Sequence, residues 1–393
     1  MYKPPVVILS SVRWDFLWQR HQTLATHFAG AGYPTVFVET TGLANPRLTG
    51  NTLRRVFERI RRAGGAGEKQ PVERDLTVYA PLTAPPTYGA FRWSNEKLLV
   101  PRIISDLRKI AGLHPVVVAY PPTRTTLGLI SGFDPGLVLY DCSDDYEHFP
   151  GAPKDIVETE RELLLRADVV SCTSAHLLKK ATSIRPDAFL SGPAVDYERF
   201  AVLQGPLPGG EISTVCFFGH VSLERIDFDA MRAIGGAGFE LRIVGGLGSV
   251  EKDFFEIPGL DYRGEVSHAG LPSALAGVDA FVLPYKVNAL TRSISPAKTY
   301  ECLATGKPVV AAHLPAMRDL AGHVYLAQRS EDYVEVLRNL KRLETGEKRR
   351  TRIELARRNS WDTRFSALEE ALWRHLWGLV RAGSTFLAWA WTR

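Results

Sequence analysis

The residues best suited to chemistry lie between Phe281 and Val310, in Phe281-Val-Leu-Pro-Tyr-Lys286 followed by Ser293-Ile-Ser-Pro-Ala-Lys-Thr-Tyr-Glu-Cys-Leu-Ala-Thr-Gly-Lys-Pro-Val-Val310. Ala280–Leu283 reads as a buried strand. Ser295 suits a helix N-cap and Pro296 the first helical position. Lys298 then falls in the first turn, and Glu301 follows three residues on, on the same face. Gly306 and Pro308 end the helix before the next strand. A helix N-terminus at a strand end gathers free N–H groups and positive dipole, which suits a pyrophosphate. Lys298 adds charge there, and Glu301 is placed to accept hydrogen bonds from ribose hydroxyls.

Two further clusters sit at strand ends in the first half. Trp14-Asp15-Phe16-Leu17-Trp18-Gln19-Arg20-His21 combines aromatic faces with polar tips, a composition suited to a sugar ring. Trp14, Trp18, Arg20 and His21 are the expected acceptor contacts, with core packing of the aromatics as the competing role. Leu137-Val-Leu-Tyr-Asp-Cys-Ser-Asp-Asp-Tyr-Glu147 places carboxylates side by side. Adjacent carboxylates raise each other's pKa, which suits a general base. Asp141 fits a structural role better. No pair of the four cysteines has metal-ligand spacing.

The 281–310 segment resembles the donor motif of GT-B glycosyltransferases, in particular bacterial polysaccharide-assembly enzymes with a Pro-x-Lys-x-x-Glu-x-Leu-Ala-x-Gly-x-Pro-Val pattern. The resemblance implies Lys298 near a diphosphate and Glu301 on a ribose, with Ser295 and Tyr285 in the same donor site. Ser293 stands where many retaining members carry a first glutamate. Phe217-Phe218-Gly219-His220 with Glu224-Arg225 looks like the family's glycine loop, which implies Gly219 close to the ligand and Arg225 as a diphosphate clamp. Arg263-Gly264-Glu265-Val266 looks like the stretch near the base, which implies backbone contacts from Glu265 and Val266. The Ser143-Asp144-Asp145 turn resembles the base-bearing loop of the xanthan glucuronosyltransferase type, so Asp144 or Asp145 is the expected base. The Trp-x-x-x-Gln-Arg-x-Gln run at Trp14 is similar to the N-terminal motif of the same bacterial enzymes.

These residues need a scaffold, and the pattern supplies one. Short apolar runs such as Val6–Ser10, Thr35–Glu39, Val116–Tyr120 and Leu137–Asp141 alternate with amphipathic helical stretches. That pattern predicts α/β architecture with parallel sheets buried on both faces. A second such series runs from Thr214 to Leu326. The expectation is two Rossmann-like, doubly wound domains facing a central cleft: residues 1–193 for the acceptor, a linker at 194–210, 211–360 for the nucleotide-sugar, and 361–393 returning to the first domain or to a membrane. Ligands are expected at the carboxyl ends of the strands.

Composition narrows the rest. Of the 393 residues, 45% are hydrophobic and 23% charged, which excludes disordered and fibrous classes. The net charge of +5 is spread out, so no nucleic-acid partner is expected. The four cysteines lie far apart in apolar runs, as buried thiols of a reducing compartment do. The apolar run Val6–Leu9 near the start is too short for a signal peptide, with no small-residue cleavage site after it, and no stretch approaches a membrane span. The expected location is cytoplasmic, with peripheral contact on the inner membrane through the basic amphipathic run 53–62 or the tryptophan-rich end 378–393.

The expected activity is transfer of a sugar from a nucleotide-diphosphate donor, UDP-linked by preference and GDP-linked otherwise, to a saccharide or lipid-linked acceptor in cell-surface polysaccharide synthesis. The nucleotide-sugar acts as co-substrate, with no cofactor, and the GT-B resemblance implies a diphosphate held by helix ends and cationic side chains with no metal. The alternatives are a nucleotide-sugar epimerase and a non-catalytic sugar-nucleotide-binding protein. An NAD-dependent oxidoreductase is disfavoured, because Ser10-Ser11-Val12-Arg13 after the first strand lacks the expected glycines.

Overall fold

A computed structural model describes residues 3–15, 18–39, 68–83, 89–149, 151–205, 210–292 and 297–381. The run 53–62, Ser293, Ser295, Pro296 and residues 382–393 lie outside them. The chain divides into two units, Met1–Ser191 with Phe365–Arg393, and Gly192–Arg364.

The first unit is built on eight strands: β1 Val6–Ser10, β2 Thr35–Glu39, β3 Glu68–Glu73, β4 Leu76–Ala80, β5 Val116–Ala119, β6 Leu137–Cys142, β7 Val169–Cys172 and β8 Phe189–Leu190. Their order in the sheet is β3-β4-β2-β1-β5-β6-β7-β8. All pairings are parallel except β3 with β4. β1, β2, β5, β6 and β7 are buried along their whole length, as strands covered by helices on both faces must be. The helix Val100–Ala111 covers this sheet with Val100, Ile103, Ile104, Leu107 and Ala111, an apolar stripe at helical spacing. The helix Trp361–Arg381 contributes Phe365, Leu368, Leu372 and Leu376 to the buried interior. Phe365 meets the Phe28 ring edge-on at 5.0 Å.

The second unit carries β9 Thr214–Phe218, β10 Glu240–Val244, β11 Leu260–Gly264, β12 Ala280–Leu283, β13 Val309–Ala312 and β14 Tyr325–Ala327. The order β11-β10-β9-β12-β13-β14 is all parallel and reverses direction between β9 and β12. In doubly wound sheets ligands bind at that reversal, outside the carboxyl ends of the strands. The 194–210 stretch, expected as a linker, instead carries a helix, Tyr197–Ala201, whose Phe200 is sealed into the second core. Apolar residues in a short, proline-flanked segment found a partner surface there.

Candidate active site

β9 ends at Phe218, and Gly219 follows at φ 131°, a backbone region that side chains avoid. A Cβ on Gly219 would lie 2.1 Å from Lys298 Cε and 3.0 Å from Lys298 Nζ. The lysine side chain therefore runs directly across the glycine backbone. Gly245, after β10, closes on the other side, where a Cβ would lie 2.1 Å from the Gly219 carbonyl oxygen. Among the described residues, the floor of this site is glycine backbone with the Lys298 side chain over it. Lys298 is half-buried, and its Nζ has no hydrogen-bond or ion-pair partner among the described residues. The helix it opens, Lys298–Ala304, is short, and the expected Ser295 cap lies outside the described residues.

Glu301 shares this helix and is also half-buried. Burial raises its carboxyl above the usual range, with Lys298 pulling the other way and Asp196 adding to the rise. Arg225 is fixed through its backbone. The Lys286 N–H donates to the Arg225 carbonyl at 2.8 Å, and Ile226 bridges Tyr285. Tyr285 is buried beside this bridge, and its phenol is raised by burial and lowered by Arg225. Glu265 packs over Gly246, where a Cβ would meet its Oε1 at 2.1 Å. For Val266 the structure shows packing against the second core.

His220 was missed as a site residue, although it stands next to Gly219 in the sequence. Its imidazole is lowered by burial and by Arg225 and Lys298, and raised by Glu265, so it lies within the field of all three. The Gly245-Gly246 pair was the other readable signal, two glycines directly after a strand.

In the first unit the carboxyl ends of β1, β6 and β7 converge on a buried polar network. Arg20 opens the helix Arg20–Gly30 and grips Asp141 with Nε at 2.6 Å and Nη2 at 3.0 Å. Nη2 also reaches Ser191 Oγ at 2.9 Å, and Ser171 donates to Asp141 at 2.6 Å. Burial alone would raise the Asp141 carboxyl; Arg20 and Ser171 outweigh it and hold it below the ordinary range. His21 is drawn into the core rather than toward a ligand. Its ring stacks on Tyr120 at 3.5 Å, Nδ1 lies 2.8 Å from Ser10 Oγ, and burial lowers its pKa to about 3. The expectation of His21 as a sugar contact thus gives way to a neutral core histidine. Arg20 is committed mainly to Asp141. Trp14 packs edge-on against Phe37 at 5.1 Å and Trp18 at 5.5 Å. Trp18 donates to Thr23 at 2.8 Å yet stays 37% exposed, the most accessible of the four.

The two aspartates after β6 part company. Asp145 is buried and held by Lys180 at 3.1 Å and His148 at 3.0 Å. Burial raises its carboxyl, but Lys180 and His148 bring it below the usual range, the wrong direction for a base at neutral pH. Asp144 is half-buried and accepts from Ser143 Oγ at 3.3 Å. Asp145, Glu147 and His148 come within 4.8 Å of one another, a spacing a cation could use. Lys180 Nζ already contacts both carboxylates, at 3.1 and 3.5 Å.

No family model matches the chain. Over 207 residues it is 28% identical to a Bacillus subtilis protein bearing the name teichuronic acid biosynthesis glycosyltransferase TuaH, a match to 46% of this chain and 51% of that protein. The chain thus spans about half the length of that relative. Sucrose-phosphate synthase from Thermosynechococcus elongatus superposes with a TM-score of 0.65 at 15% identity, covering 96% of this chain and 100% of that one. HepE of Anabaena, in complex with UDP and glucose, gives 0.65 at 13% identity over 94% and 99%. The chain has the GT-B fold. In this GT-B chain the switch point of the second unit is the place where Gly219, Arg225, Lys298 and Glu301 gather.

Proposed function

We propose that the chain is a glycosyltransferase that takes a sugar from a nucleoside-diphosphate donor held in its second unit. The observation that carries the reading is Lys298, a half-buried cation with no hydrogen-bond or ion-pair partner among the described residues, lying across Gly219 at the sheet's reversal. Lys298 and Arg225 would neutralise the diphosphate, Glu301 would accept from the ribose, and Glu265 and Val266 would border the base. A uridine donor is preferred, since the fold neighbour HepE is named in complexes with UDP, with UDP and glucose, and with UDP-glucose.

The acceptor is a saccharide, free or lipid-linked, of a cell-surface polysaccharide, met at the cytoplasmic face of the inner membrane. Asp144 is the base of this reading. It takes the acceptor hydroxyl proton as that oxygen bonds to the anomeric carbon, while the bond from that carbon to the diphosphate oxygen breaks and the nucleoside diphosphate leaves. Asp145, tied to Lys180, holds the turn. Asp144→Asn is expected to cut transfer about 10²–10⁴-fold with UDP binding intact, read by product formation and calorimetry.

Thermal shifts with UDP, GDP, ADP and TDP test the donor. A ligand at a hundred times its Kd adds about 2.7 kcal/mol. Lys298→Ala is expected to abolish most of the response. A variant that binds as well as wild type, or a protein stabilised by none of the four, would overturn the reading.

A further inference from the structure

Within the first unit, one helical stretch interrupts its own geometry. The helix Gly89–Ser94 passes through a π-helical turn, Asn95–Leu99, into the helix Val100–Ala111. Residues five apart point roughly 140° from each other around an α-helix. A turn bonded from i to i+5 brings them back to one side, and such turns concentrate at functional sites. Trp93 and Leu98 are five apart, and they are 58% and 57% exposed. Lys97, Pro101 and Arg102 are exposed around them, while Asn95, Val100, Ile103 and Ile104 are buried on the opposite side. Lys97 and Arg102 have no hydrogen-bond or ion-pair partner among the described residues. Glu96 lies apart from this face, lining a small cavity with Arg92, Arg124 and Asp155.

The π turn thus collects an indole, a leucine and two cations on one solvent-facing strip, with Asp106, one turn on from Arg102, taken up by the Tyr79 hydroxyl at 3.0 Å. A core-directed helix has no use for that arrangement. An indole and an aliphatic side chain beside Lys and Arg match the interfacial zone of an anionic bilayer, where rings sit at headgroup depth and cations meet lipid phosphates. No helix among the described residues is long and apolar enough to cross a membrane, so attachment through them would be of this shallow kind.

We propose that the 93–102 face docks the first unit onto an anionic lipid surface. This rests on the reading of the acceptor as membrane-associated, and it assigns the contact to residues that no composition argument singled out. The charge pair selects anionic lipid, and Trp93 with Leu98 supplies the insertion.

The test is flotation of the full chain at low salt with vesicles of phosphatidylcholine alone and of phosphatidylcholine with phosphatidylglycerol. Wild type is expected to float with the anionic vesicles and to stay behind with the neutral ones. Trp93→Ser combined with Leu98→Ser should reduce the bound fraction about tenfold. Lys97→Glu combined with Arg102→Glu should do the same and remove most of the salt dependence. UDP thermal shifts of each variant should match wild type, which separates loss of the surface from loss of the fold or of the donor site. Absence of a UDP response in wild type would sink the transferase reading and leave the flotation result standing on its own. The docking proposal is overturned if the Trp93/Leu98 variant floats like wild type, if wild type binds neutral vesicles equally or none at all, or if light scattering shows a dimer that this variant dissociates.

Discussion

Lys298 and Gly219 constrain each other. Any side chain at 219 would enter the methylenes of Lys298 and would also hold a φ of 131°. Gly219→Ala is therefore expected to destabilise by about 1–3 kcal/mol and to lose the UDP response. Gly236 is the control. It ends the helix Phe228–Gly236, and a methyl added there would meet nothing within 4 Å, so Gly236→Ala should leave UDP binding unchanged and stability equal or slightly higher. His21 supplies a pH signature. Its folded pKa of about 3 lies below the ordinary histidine value, so the unfolded chain binds the extra proton first. Stability from this residue is complete above about pH 6.5 and declines as pH falls toward 3, by about 2 kcal/mol at pH 5. Denaturant titrations at pH 7.5 and 5 should show that loss in wild type and lack it in His21→Phe, which keeps a ring against Tyr120. That Lys298 and Glu301 share one helix could be read from sequence, because their spacing repeats a turn of helix beside a strand. Arg20 and His21 could not be separated that way. Both are polar residues at a strand end, and only Asp141, more than a hundred residues away, decides that Arg20 turns inward.

Elements were legible where burial leaves a periodic trace. β1, β2, β9 and β12 are short apolar runs and stood out. β3 did not. Its sequence Glu-Lys-Gln-Pro-Val-Glu lacks an apolar face and holds a proline, which suits an edge strand paired only with β4. The helix Gly346–Arg358 also escaped notice, since it buries only Arg352 and Ala356. Its anchor is ionic. Arg352 is 1% exposed, pairs with Glu344, and donates to the Gly306 carbonyl at 3.2 Å. Arg352→Met would leave Glu344 buried without its counter-charge and is expected to cost about 3–5 kcal/mol, measurable by urea denaturation.

At the scale of the chain, one unit is a continuous stretch and the other is not. The first needs Phe365, Leu368, Leu372 and Leu376 from the far end of the sequence. Their burial contributes on the order of 6–12 kcal/mol, comparable with the whole stability of a domain. A chain ending at Ser360 is therefore expected to lose its first unit to aggregation or proteolysis. Residues 192–364, made alone, should fold and still respond to UDP, as circular dichroism and thermal shifts would show. The sequence announced two repeating α/β series but not this discontinuity, since an amphipathic helix does not name the sheet it will cover.

Synthesis runs in one direction, and this layout sets a timetable. When the ribosome has made Arg364, everything required by the later stretch has been made, while the earlier one still waits for its closing helix. The portion translated first is the portion completed last. Until then its unfinished apolar flank is exposed at the tunnel mouth, where a holding chaperone would find it.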